Sequence, residues 1–151
     1  MRTRIIKWAK LTCLMLVAVM ALGACVKGDE QHREFSNKAN QGDAEAQYLL
    51  ARIYFEANGV DQSDKKGEFW VRKAAEQGHA QAQSDLGELY ATGQLMIIKK
   101  NLVEADKWFI LSSRQGNGRG MRNMRDVEKE MQPQQIEQAT AMANNWTPKR
   151  Q

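Results

Sequence analysis

Cysteine, histidine and long apolar runs are all scarce in this chain. Two of its 151 residues are cysteines and two are histidines, and each shortage closes off a class of chemistry. Cys13 lies inside the N-terminal apolar stretch, so Cys25 has no intrachain partner once that stretch is set aside, and a disulfide framework is excluded. His32 and His79 stand far apart and outside any metal-ligand spacing. The glycine-rich stretch "GNGRG", residues 116 to 120, follows a helical pattern rather than a strand, so its glycines read as a helix stop and not as a phosphate cradle. Acidic residues are plentiful on the helical segments, but none sits in an apolar setting that marks an acid–base pair. The sequence therefore reads as a non-enzyme with no catalytic residue, no metal and no cofactor.

The longest apolar run, Leu11 to Leu22, is shorter than the roughly 20 residues that a membrane-spanning helix needs. Arg2, Arg4, Lys7 and Lys10 precede it with no acid among them, which is the layout of a signal peptide over residues 1–24. Small residues then lead to Cys25 in "LGAC", which resembles the lipobox of bacterial lipoproteins. That resemblance implies cleavage before Cys25, acylation of its sulfur and new amino group, and a membrane anchor made of several chains. By the same analogy Val26, where an Asp would retain the protein at the inner membrane, favours the periplasmic side of the outer membrane. The alternative is an ordinary secretory signal that leaves Cys25 a free thiol.

Removing the signal removes four of the 22 cations and none of the 18 acids, so the remaining chain is neutral and nucleic acid is not an expected partner. Residues 25–30 form a tether that reaches about 20 Å when extended, which holds a folded part, residues 31–146, near the membrane. Residues 147–151 read as a tail.

Within the folded part, "ANQGDAEAQYLLARIY" at 39–54 and "AEQGHAQAQSDLGELY" at 75–90 align without gaps, with eight of sixteen positions identical. A fixed period of this size marks a solenoid, whose units bury their apolar faces only against neighbours. Ala46, Leu50, Ile53 and Tyr54, and likewise Ala82, Leu86, Leu89 and Tyr90, form one helical stripe. Gly42 and Gly78 are placed to end the preceding helix, with Asp43 a good N-cap and His79 a poorer one. A second helix is expected from about Asp64 to Glu76 and from about Leu102 to Arg114, the latter opened by an Asn101/Glu104 capping box. Trp70 and Trp108 each follow a small residue, Gly67 or Ala105, so the indole is expected to fill the groove where two helices approach. A third unit begins at Ser113, Gln115 and Gly116 and decays, Glu128 standing where Tyr is expected, before a closing helix opened by Pro133.

This pattern of helix-ending Gly, Ala-Gln, Leu, Tyr, the Gly59-Val60 turn and then Trp resembles the Sel1-like repeat family, which is related to the tetratricopeptide repeats. Repeats fall at about 39–74 and 75–112, with a degenerate third and its closing helix at 113–146. The resemblance implies an all-α fold, a right-handed α/α superhelix whose first helices line a concave, protein-binding surface. At 3.6 residues per turn, Tyr48, Arg52 and Phe55 point away from the core stripe, and their counterparts Ser84, Glu88 and Ala91 show that the solenoid needs no aromatics there. We read Tyr48, Arg52 and Phe55 as anchors of a partner groove continued by Gln81, Ser84 and Glu88 and by Arg119, Arg122 and Asp126. The alternative places Tyr48 and Phe55 beneath the N-terminal helix near Phe35. "LMIIKK", residues 95–100, reads as core tucked under the solenoid or as a second contact, and Arg114, Arg119, Arg122 and Arg125 as a solvated face or an anion-binding cluster. The expected function is an envelope scaffold or adaptor. An immunity lipoprotein against a periplasm-delivered toxin is the alternative, and a β-lactamase-like hydrolase a distant third, since this chain lacks the cysteine pairs of that branch. The partner and the oligomeric state are not given by the sequence.

Overall fold

The structure, a computed structural model, describes residues 30–93 and 98–149. The signal, Cys25 and residues 95–97 of the inserted segment lie outside the described residues. Seven helices and no strand occur among those described: α1 (30–40), α2 (Ala44–Glu56), α3 (Asp64–Glu76), α4 (Ala80–Thr92), α5 (Leu102–Arg114), α6 (Gly118–Glu128) and α7 (Pro133–Asn144). They form an all-α solenoid of two hairpins, α2–α3 and α4–α5, preceded by α1 and closed by α6 and α7, which both pack against α5. None of the described helices is long and apolar enough to cross a membrane.

One device ends each hairpin and starts the next. Gly42, Gly78 and Gly116 take φ of 93°, 97° and 81°, a region that L side chains rarely adopt. The residue after each glycine caps the following helix. Asp43 accepts from the Ala46 N–H at 2.7 Å, His79 Nδ1 from the Ala82 N–H at 3.2 Å, and Asn117 from the Gly120 N–H at 3.0 Å. Because Nδ1 accepts, the ring proton of His79 is on Nε2, where Glu45 lies 2.8 Å away. The capping box expected at α5 is only half made. Asn101 accepts from the Glu104 N–H at 3.1 Å, while the Glu104 carboxylate turns to Lys107 at 2.5 Å.

The repeated Ala-Gln has a structural reason. Gln47 and Gln83 are fully buried, and their Nε2 groups donate to the last carbonyls of the preceding hairpin, Ala39 at 3.1 Å and Ala75 at 3.2 Å. Their Oε1 atoms accept from Gln77 and Gln115, both at 2.8 Å. Each buried amide thus adds a further hydrogen bond to a helix-end carbonyl that also accepts from the junction glycine N–H, Gly42 or Gly78.

Hairpins close through inverted knob-and-hole pairs. In α2–α3 the knob is Phe55 and the hole Gly67, where an added Cβ would sit 2.4 Å from the Phe55 ring. In α4–α5 the hole moves to Gly87 and the knob to Phe109, at 2.5 Å. The small residue before Trp70 therefore receives Phe55 and not the indole, a correction to the sequence expectation. Of the two indoles, Trp108 is buried and meets Trp146 edge-on at 6.2 Å, while Trp70 is half-buried. Ile98 is buried in the main core, placing this end of the inserted segment under the solenoid. The tail folds back: Trp146 covers Gly78, and the Lys149 N–H donates to the Glu76 carbonyl at 2.8 Å.

Candidate functional site

Helices α2, α4 and α6 line an open cleft of about 610 Å³. Tyr48, Arg52 and Phe55 reach it from α2, Glu88 from α4 and Arg119 from α6, so five of the nine expected contact residues converge. Asp126 lines an adjoining cleft of about 530 Å³, which shares Glu88 with the first. Gln81 and Arg122 are exposed outside both linings.

The convergence comes with corrections. Ser84 is buried and unavailable to a partner, because Arg119 lies over it with Nε donating to its Oγ at 3.3 Å. Phe55 shows the cleft only part of a ring whose remainder fills the hole at Gly67. Tyr48 is half-buried against the face of His79, with ring centroids 4.6 Å apart and planes at 29°. Both aromatics therefore pack, but against α3 and the cap of α4. Phe35 belongs to a separate cluster with Ala39, Ala46, Leu50 and Tyr54.

Charge in the cleft is largely cross-linked. Arg52 Nη2 pairs with Glu56 at 2.6 Å within α2, an exposed pair one turn apart. Arg119 of α6 clasps Asp85 and meets Glu88 at 3.1 Å, while Asn123 donates to Glu88 at 2.6 Å. Asp126 pairs with Lys129, whose hydrogen bond and charge hold the carboxyl below its ordinary range. Asp85 was missing from the sequence reading, since only the arrival of α6 over α4 identifies it.

A second constellation lies at the hairpin junctions. Spacings of 36 and 38 place His32, Ser36 and Tyr54 in register with Glu68, Arg72 and Tyr90, and those with Asp106, Ile110 and Glu128. At the first junction His32 Nε2 lies 2.9 Å from the Tyr54 hydroxyl. At the second, Arg72 joins Glu68 at 2.5 Å to the Tyr90 hydroxyl at 2.9 Å. At the third the cation is replaced by Ile110 and the phenol by a carboxylate. Asp106 is fully buried with neither oxygen hydrogen-bonded, and burial, reinforced by the charge of Glu128, pushes its carboxyl up to about 7. Sequence reading saw no carboxylate in an apolar setting; the offset comparison of Arg72 with Ile110 is the signal that finds this one. Among the described residues no three of His, Cys, Asp and Glu gather in the way a metal ion requires.

Comparison with known proteins agrees with this geometry. The Sel1 repeat model matches residues 44–79 and 80–117, the same units cut five residues later than the sequence identities suggest. A protective antigen of uropathogenic Escherichia coli displaying an SLR fold is similar at 29% identity and a TM-score of 0.72, over 79% of this chain and 26% of that one. A Sel1 repeat protein from Oxalobacter formigenes is similar at 31% identity and a TM-score of 0.58, over 62% of this chain and 37% of its own. The chain thus spans roughly a quarter to a third of the length of these proteins. No curated protein matches the sequence. Helix order, junction glycines, buried glutamines and two matched repeats together identify the chain as a member of the Sel1-repeat proteins.

Proposed function

We propose that this chain is a lipid-anchored protein of the bacterial envelope that holds a protein partner in the cleft between α2, α4 and α6. Sel1 repeats generally mediate protein–protein interaction, and the observation that carries the proposal is the convergence of Tyr48, Arg52, Glu88 and Arg119 from the three helices α2, α4 and α6 on one open cleft. Tyr and Arg are the side chains that most often dominate binding energy. The anchor reading rests on the lipobox at Cys25 and the signal before it.

Arg52 is the discriminating position. Among the described residues its ion-pair partner is the exposed Glu56 carboxylate one turn away, so Arg52→Glu leaves the melting temperature almost unchanged, whereas loss of a central anchor weakens binding about thirtyfold or more. Envelope crosslinking with wild type and Arg52→Glu, read by quantitative mass spectrometry, identifies the species lost from the variant. A crosslink pattern identical in the two proteins refutes the cleft as the binding site. Inhibition of a secreted toxin by the recovered pair distinguishes an immunity role from scaffolding.

A further inference from the structure

The outer face of α3 carries an unusual combination. Its exposed residues are Lys65, Lys66 and Phe69, with no exposed acid on the helix. Phe69, 49% exposed, meets Trp70 edge-on at 5.0 Å, and the Lys73 ammonium sits over both rings, 5.2 and 5.7 Å from their centroids. The fold does not demand this arrangement. At the equivalent positions of α5, Lys66 becomes Glu104 and Phe69 becomes Lys107, which pair with each other.

The patch also lies where the chain enters the solenoid. The Lys66 ammonium is 5.0 Å from the Tyr54 ring centroid, and Tyr54 in turn touches His32, two residues from the start of α1. Phe35 of α1 and Trp70 pack on the same cluster. Four residues separate Cys25 from Glu30, a reach of less than about 20 Å.

We propose that Lys65, Lys66 and Phe69 dock on the anionic phospholipid surface to which Cys25 tethers the chain, with Phe69 and the edge of Trp70 at the headgroup boundary and the lysines on lipid phosphates. An aromatic residue flanked by lysines suits that boundary, apolar on one side and anionic on the other. Docking fixes the orientation of the solenoid on the membrane instead of leaving it to swing on its tether. The proposal rests on the lipid-anchor reading for its geometry, though the patch itself does not depend on acylation.

The test uses the lipidated protein, purified from membranes and reconstituted into vesicles of phosphatidylcholine with or without phosphatidylglycerol, containing lipid brominated near the headgroup. The expected result is quenching of tryptophan emission that needs the anionic lipid. Lys65→Gln/Lys66→Gln lowers the ratio of docked to undocked protein about thirtyfold, and Phe69→Ser also reduces the quenching. Quenching unchanged in both variants, or absent from acylated wild type, overturns the proposal. So does a result in which Phe69 is shielded by a second copy of the chain in a sedimenting dimer. The mass of the Cys25 peptide reports acylation separately; if it is unmodified the anchor reading fails, and co-sedimentation of that protein with anionic vesicles, lost in the double glutamine variant, still decides the patch.

Discussion

Asp106→Asn is expected to stabilise this protein at neutral pH and to remove most of its pH dependence near neutrality. Asp106 occupies the Glu68 position of the preceding hairpin, but the arginine that serves Glu68 is replaced by Ile110, and the phenol beyond it by Glu128. Raising a carboxyl from 3.8 to about 7 corresponds to about three pH units, or an upper bound near 4 kcal/mol at about 1.4 kcal/mol per unit. The sign follows from proton binding. Between about pH 4 and 7 the folded state holds a proton that the unfolded state has lost, so stability falls as pH rises through that window and levels off above it. Asparagine removes the ionisation but leaves an amide with unmet hydrogen bonds, costing about 1–3 kcal/mol. The net gain at pH 8 is therefore about 1–3 kcal/mol, turning into a net loss of about 0.5–2.5 kcal/mol at pH 4, where the ionisation penalty of the wild type has almost vanished and the amide cost remains. Urea unfolding followed by far-ultraviolet circular dichroism at several pH values measures both. A constant gap between wild type and variant across the range refutes the reasoning, because it means that the buried carboxyl does not change its charge there.

Other expectations follow from comparing the repeats. Gly87→Ala places a Cβ 2.5 Å from the ring of fully buried Phe109 and 3.1 Å from a backbone oxygen; overpacking of about 1–3 kcal/mol exceeds the gain of about 1 kcal/mol in helix propensity, and thermal melts should show a net loss. Gly67→Ala meets half-exposed Phe55, which can swing outward, so the same melts should show a change near zero. Ala57 ends α2 at φ 55°, where the second repeat has Gly93 at 63°; Ala57→Gly should raise stability by about 0.5–1 kcal/mol in urea unfolding. Gln83→Ala removes one of the hydrogen bonds at the Ala75 carbonyl and leaves the Gln115 amide without its acceptor, and should cost about 1–3 kcal/mol, against less than about 0.5 kcal/mol for exposed Gln81→Ala. Equal losses at the two glutamines would contradict the role given to the buried amides.

Much of the fold was legible because its signals are local. The bounds of α3 and α5, the junction glycines and the caps at Asp43, His79 and Asn101 depend on φ and on hydrogen bonds spanning three or four residues, and they fall where the residue pattern placed them. The groove was legible in part. A helical wheel gave the outward direction of Tyr48, Arg52 and Phe55 correctly enough to bring them to one cleft, but it carried no information about which neighbour occupies the space beyond a side chain. Hence Ser84, outward on its own helix, is covered by an arginine 35 positions later.

Periodicity, capping chemistry and glycine placement act within one turn of helix, so hairpin limits, repeat phase and fold class were already written in the residue order. Contacts between distant hairpins obey no such short-range rule. The insertion of Phe55 at Gly67, the stacking of Tyr48 on His79, the return of Trp146 over Gly78 and the exposure of buried Asp106 to the like charge of Glu128 were settled only when the helices packed. In a solenoid each helix has neighbours before and behind it, and the fate of an outward side chain depends on what those neighbours leave open.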